Sequence, residues 1–151
     1  MKKLLVAMVL ACAGAQVACA DTITWTGKDA TDPTDWFRPG NWDLGRIPED
    51  GDDVVFLSTA TSVAETKEAV LTQSTPHLKS LTLHTQSPSG SPLRRCYISV
   101  KGWETRIWAD DIHLMKGGQI RPYAAFKDGD PSNRVWIVGN NMTLDVYSWN
   151  S

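Results

Sequence analysis

Downstream of Asp21 no helical period persists. Apolar residues alternate in short runs instead, with β-branched and aromatic side chains well represented. A chain patterned in twos cannot present an apolar stripe at the helical period, so it is expected to fold as strands. The runs fall at residues 23–25, 54–57, 69–71, 81–83, 96–100, 106–109, 112–114, 135–138 and 142–146. Pro39-Gly40-Asn41, Glu49-Asp50-Gly51, residues 87–92, Gly117-Gly118 and Asp128-Gly129-Asp130-Pro131 separate them. These are turn formers, glycine by its access to positive φ and proline by its preset φ. The fold class is therefore all-β. Short strands at close spacing suit the stacked coils of a solenoid and equally an antiparallel β-sandwich, and no exact repeat separates the two.

Alternation also assigns faces. Ile98 and Val100, Ile107 and Ala109, Ile112 and Leu114, and Leu144 and Val146 are expected inside. Tyr97, Ser99, Arg106, Trp108, His113, Asp145 and Tyr147 then point out, and Trp136 joins them if Val135 and Ile137 point in.

The N-terminus reads as an export signal. Lys2 and Lys3 give a positive start, residues 4–12 an apolar block, and Ala18-Cys19-Ala20 a small-x-small exit before Asp21. Residues 1–20 are expected to be a signal peptide cleaved between Ala20 and Asp21, with residues 21–151 forming a single β domain that is secreted or held in the cell envelope. A lipid-modified cysteine is the lesser option, because the apolar block before Cys12 is short for one. The mature chain then keeps only Cys96 and has no internal disulfide. Alternation with Ile98 and Val100 makes Cys96 a small buried residue. No later apolar run has the length of a membrane span. The 15 basic and 17 acidic residues give a net charge of −2, and loss of Lys2 and Lys3 takes it to −4. Such a chain, with no basic stripe, is not expected to bind nucleic acid.

Residues 22–56 read TITWTGKDATDPTDWFRPGNWDLGRIPEDGDDVVF. Their skeleton is Trp25-x-Gly27, Trp36, Asn41-Trp42, Pro48, Gly51, Asp52-Asp53 and Val54-Val55-Phe56. It resembles the N-terminal module of secreted bacterial proteins with a right-handed parallel β-helix, including autotransporter-passenger-like proteins. Lys79-Ser80-Leu81-Thr82-Leu83 resembles the coil strand that follows, and residues 112–120 resemble later coils. The resemblance implies a Trp-rich cap over residues 21–57 and β-helix coils over 58–151. Members are usually longer, which implies a shortened member or a fragment of a larger surface protein. The cap residues make physical sense. Trp25, Trp36 and Trp42 are large apolar plates able to close an open β stack. Asn41, Asp52 and Asp53 can accept backbone N–H bonds in tight turns, and Pro48 ends pairing.

Side chains that carry chemistry are sparse. His77 in a loop, and His84 and His113 on outward strand positions, lack the spacing of a metal site. Asp29, Asp32 and Asp35, and the acidic turn at 128–133, read as turn chemistry rather than calcium ligands. No nucleophile elbow, phosphate loop or zinc helix is present, so neither catalysis nor a cofactor is expected. Asp110 and Asp111 near Arg106, and Asp145 near Arg134, are the carboxylates that a remnant of a polysaccharide lyase or hydrolase would use. Seven tryptophans are many for 151 residues. Tyr97, Trp108, Trp136 and Tyr147 are the candidates for stacking sugar rings of a polysaccharide or cell-surface glycan. The expected role is a non-catalytic structural or adhesive module that self-associates through its C-terminal coil. A carbohydrate-binding module is the alternative.

Overall fold

The computed structural model describes residues 20–58, 67–85, 95–102, 104–123 and 134–145. Among these residues nine strands follow one another: β1 (Thr22–Thr24), β2 (Asp53–Ser58), β3 (Lys67–Leu71), β4 (His77–Thr85), β5 (Cys96–Val100), β6 (Thr105–Leu114), β7 (Gly118–Pro122), β8 (Val135–Val138) and β9 (Asn141–Leu144). One sheet runs β1-β2-β4-β6-β8 with β9 also on β6, and a second runs β3-β5-β7. Every named strand pairing is parallel. The chain alternates between sheets as it advances, so it winds into a parallel β-solenoid of about three turns. The antiparallel sandwich is thereby excluded.

Each layer buries its alternate residues between the sheets. Ile23, Val54, Phe56, Leu81, Leu83 and Ile112 come from the first, and Ala69, Leu71, Ile98 and Val100 from the second. Register stacks Val54 on Leu81 on Ile112, and Ala69 on Ile98 on Ile120. Each layer thus lies against the next, and stability accumulates layer by layer. Leu114 is only partly buried, and Leu144 is 57% exposed. The expected inward role of Leu144 therefore fails, because β9 pairs with β6 on one side and no further described strand follows it. Val146 lies outside the described residues.

Two expected runs, 106–109 and 112–114, are one strand, β6. Its inward phase slips at Asp110-Asp111, where two successive residues turn away from the core between buried Ala109 and Ile112. The same slip occurs in β4 at Lys79-Ser80, between buried Leu78 and Leu81. Register places Asp53, Ser80, Asp111 and Asn141 one above another. Each layer therefore carries a polar pair followed by apolar-x-apolar: Asp52-Asp53 before Val54 and Phe56, Lys79-Ser80 before Leu81 and Leu83, Asp110-Asp111 before Ile112 and Leu114, Asn140-Asn141 before Met142 and Leu144. Side chains join successive pairs, with Ser80 Oγ donating to Asp53 Oδ1 (2.6 Å), Asn140 Nδ2 to Asp110 Oδ1 (3.1 Å) and Asn141 Nδ2 to Asp111 Oδ1 (2.8 Å).

Where β7 begins, the layers approach closely. A Cβ on Gly118 would lie 2.6 Å from the Leu83 carbonyl oxygen and 2.7 Å from Leu83 Cβ. Backbone cannot retreat from that contact without disturbing the ladder. Gly118→Ala is expected to cost about 1–3 kcal/mol through overpacking, read as a lower urea midpoint with an unchanged m-value.

Candidate functional site

The cap is built on an indole cluster. Trp42 sets its edge against Trp25 (centroids 4.9 Å, 78°) and Trp36 (4.8 Å, 77°), while Phe56 stacks on Trp25 (5.4 Å, 17°) and Trp36 (5.7 Å, 21°). All four rings are buried. Each such pair contributes about 0.5–1.5 kcal/mol beyond its area. Trp42 Nε1 donates to the Trp36 carbonyl at 2.8 Å. Trp36 Nε1 is buried without a partner among the described residues, a local cost that the packing offsets.

Backbone and polar groups hold the rings in place. The cap adds a rung to both sheets, with β1 pairing parallel with β2 and Asp35 bridging Val70 of β3. Asn41 is fully buried. Its Nδ2 donates to the carbonyls of Asp32 and Asp35, each at 2.8 Å, and its Oδ1 accepts from the Asp29 amide at 2.8 Å. Gly27 has φ of 62°, in the left-handed region. Asp29, Asp32 and Asp35 accept amides within their own loop, from Thr31 and Asp32, Thr34, and Phe37 respectively. These carboxylates therefore serve turns, as expected.

Asp52 is the electrostatic centre of the cap, with 2% of its surface exposed. It accepts Arg46 Nη1 at 2.6 Å and Nη2 at 3.1 Å, and the amides of Glu49 at 2.8 Å and Asp21 at 3.1 Å. Burial pushes its carboxyl up, but the Arg46 guanidinium and the two amides outweigh this and hold it below the usual value. Pro48 is buried beside this cluster in sequence, and Asp53 pairs outward with Lys79 Nζ at 2.8 Å.

The aromatic candidates separate. Tyr97 is 6% exposed, contrary to the expected outward platform. It does lie on the outward register of β5, but the Arg121 guanidinium covers its ring at 3.9 Å from the centroid and Arg95 Nη1 donates to its hydroxyl at 3.1 Å. Ser99 is likewise covered, donating to Glu68 Oε1 (2.5 Å) and accepting Arg121 Nε (2.9 Å). Trp108 and Trp136 are open, at 43% and 47%. His77 is the first residue of β4 rather than a loop residue. Its ring stacks on Trp108 at 4.0 Å and 10°, and its Nε2 lies 2.9 Å from Asp110 Oδ1. Because Trp136 pairs in register with Arg106, Trp108 and Trp136 share the outward face of one sheet. A two-residue offset and one strand spacing place their Cα atoms about 8 Å apart. Tyr147 lies outside the described residues.

Two of the carboxylates singled out in the sequence have side-chain partners. Asp110 takes His77 and Asn140, and Asp111 takes Asn141. Cys96 is fully buried as expected, and burial pushes its thiol up to about 11. Sequence reasoning missed the His77–Trp108–Asp110 contact, since these residues meet only through the register of β4 on β6. It also missed Arg46, whose role depends on the loop that brings it onto Asp52. Comparison with known protein families, curated proteins and solved structures gives no match for this chain.

Because the folded Asp52 carboxyl lies below its unfolded value, its stabilisation is complete above the unfolded pKa and is lost as pH falls through the folded one. Stability should therefore decline below about pH 4. Asp52→Ala removes the acceptor of two amides and leaves Arg46 with Asp21 as its carboxylate partner, and it is expected to cost about 1–3 kcal/mol at pH 7, with a flatter acid limb, both measured by denaturant titration across pH.

Proposed function

We propose that the chain is an exported, non-catalytic β-solenoid module with a structural or adhesive role at the bacterial cell surface. The cap motif and the parallel stack together support kinship with autotransporter-passenger-like proteins. The observation that carries the reading is the asymmetry of the stack. One end is lidded by Trp25, Trp36 and Trp42, while Trp136, Ile137, Val138, Met142 and Leu144 on β8 and β9 are exposed. Exposed apolar strands with no described strand on their far side favour pairing with another β layer, which fits a module that associates. The layer supplied in self-association is a second copy of the chain. Light scattering over a concentration series should give a mass rising above the monomer, and Met142→Lys with Leu144→Glu should return it to the monomer. A monomer at all concentrations would remove the associative role.

A carbohydrate-binding role is the second reading, favoured by one observation: Trp108 and Trp136 stand open on one face. The His77 ring stacks on one face of Trp108 and fixes that indole, Val138 lies beside it in register on the next strand, and the exposed Trp136 offers apolar surface to the C–H face of a pyranose. Arg106, opposite Trp136, supplies donors for sugar hydroxyls. Polysaccharide or cell-surface glycan is the ligand class. A soluble glycan should quench tryptophan fluorescence, and Trp108→Ala or Trp136→Ala should weaken the apparent affinity at least tenfold. A flat response across a broad panel removes this reading.

A further inference from the structure

We propose that hydrolysis of the Ala20–Asp21 bond seats the freed α-ammonium of Asp21 on the buried carboxylate of Asp52, completing the cap in the mature protein. The proposal rests on the reading of residues 1–20 as an export signal. Ala20 and Asp21 are exposed, so a peptidase can reach the bond between them. Water supplies hydroxyl to the Ala20 carbonyl carbon as the C–N bond breaks. The products are the Ala20 carboxylate and the protonated amine of Asp21, with no other reactant.

The amine already has its seat. Asp21 N lies 3.1 Å from Asp52 Oδ1. The Asp21 carbonyl accepts the Asp53 amide at 2.8 Å, and its side chain takes Arg46 Nη2 at 3.0 Å. Three independent contacts therefore hold the residue that cleavage turns into a terminus. An amide at that position donates one neutral hydrogen bond, whereas an ammonium donates up to three, and charge-assisted bonds are about twice as strong.

Charge balance points the same way. Among the described residues, Arg46 is the one cation paired with the two carboxylates of Asp21 and Asp52 that it bridges, with Glu49 adding a third negative group at the rim. Asp53, next in the chain, is already matched by Lys79. The α-ammonium is the second cation this cluster lacks in the uncleaved chain. A group stabilised in its charged form titrates higher when folded. Its contribution is complete below the unfolded pKa and is lost as pH rises through the folded one.

The test is to express the full-length chain with its own leader in a bacterial host and titrate the exported product. Intact mass should place the N-terminus at Asp21, and the Asp21 Cα resonance should titrate about one unit or more above the usual α-amino range of about 7.7–8.0. A chain retained uncleaved would overturn the export reading and this proposal together. Cleavage elsewhere, or an ordinary amine midpoint, would overturn this proposal alone. A variant with one glycine inserted between Ala20 and Asp21 keeps every cap residue but moves the amine one residue, about 3.8 Å along the chain. Its exported form should unfold about 3–6 °C lower at pH 6 and match the parent near pH 10. Equal Tm values at pH 6 would also overturn the proposal.

Discussion

A stack of parallel strands must begin somewhere, and its first layer leaves a hydrophobic end and a free ladder edge. Here that problem falls on the contact between Phe56 and the indoles of Trp25 and Trp36, with Trp42 wedged edge-on between them. Phe56 belongs to β2, the first full rung, so the lid rests directly on the solenoid. The polar frame around the rings exists to hold that contact. Asn41 ties three loop positions, and Asp52 gathers a guanidinium and two amides. Both are buried polar groups that cost stability unless nearly all their bonds are made, which explains why a short loop carries so many donors and acceptors.

Most of this architecture could be read from the sequence, for reasons that differ by region. Alternation at residues 54–57, 81–83 and 96–100 marked strands because one face is buried and the other is not. The cap was readable because three tryptophans, a buried Asn41 and the Asp52-Asp53 pair all serve one compact segment. The layer repeat was hidden. Its conserved geometry is a polar pair followed by apolar-x-apolar, but the chain between the sheets varies from residues 59–66 in the first turn to 115–117 in the third. A fixed period therefore never appears. Tyr97 misled for another reason. Alternation gives the direction of a side chain, not what covers it, and Arg95 and Arg121 come from outside the strand. The exposure of Leu144 reflects the same limit, because an inward phase buries a residue only where another layer covers it.

The outward face of the first sheet shows how register makes neighbours of residues far apart in sequence. His77 and Trp108 occupy equivalent rungs, so their rings stack, and Asp110 and Asn140 complete the contact from adjoining corners. Polar chemistry gathers at the corners because two successive residues there leave the core. A corner open to water, as at Asp110, can accept charge at little cost, whereas the buried Asp52 corner needs the Arg46 guanidinium.

Those corners also decide which sequence changes the molecule can absorb. Since the polar pairs stack in register, with side-chain bonds at Asp53–Ser80, Asp110–Asn140 and Asp111–Asn141, residues gained or lost in the connecting segments leave the rungs aligned. A single residue removed within a rung would swing every later side chain in it to the opposite face, sending Leu83 toward water and His84 toward the interior. Lineages of such a protein should therefore drift in loop length while their corner-to-corner spacing within each strand stays fixed.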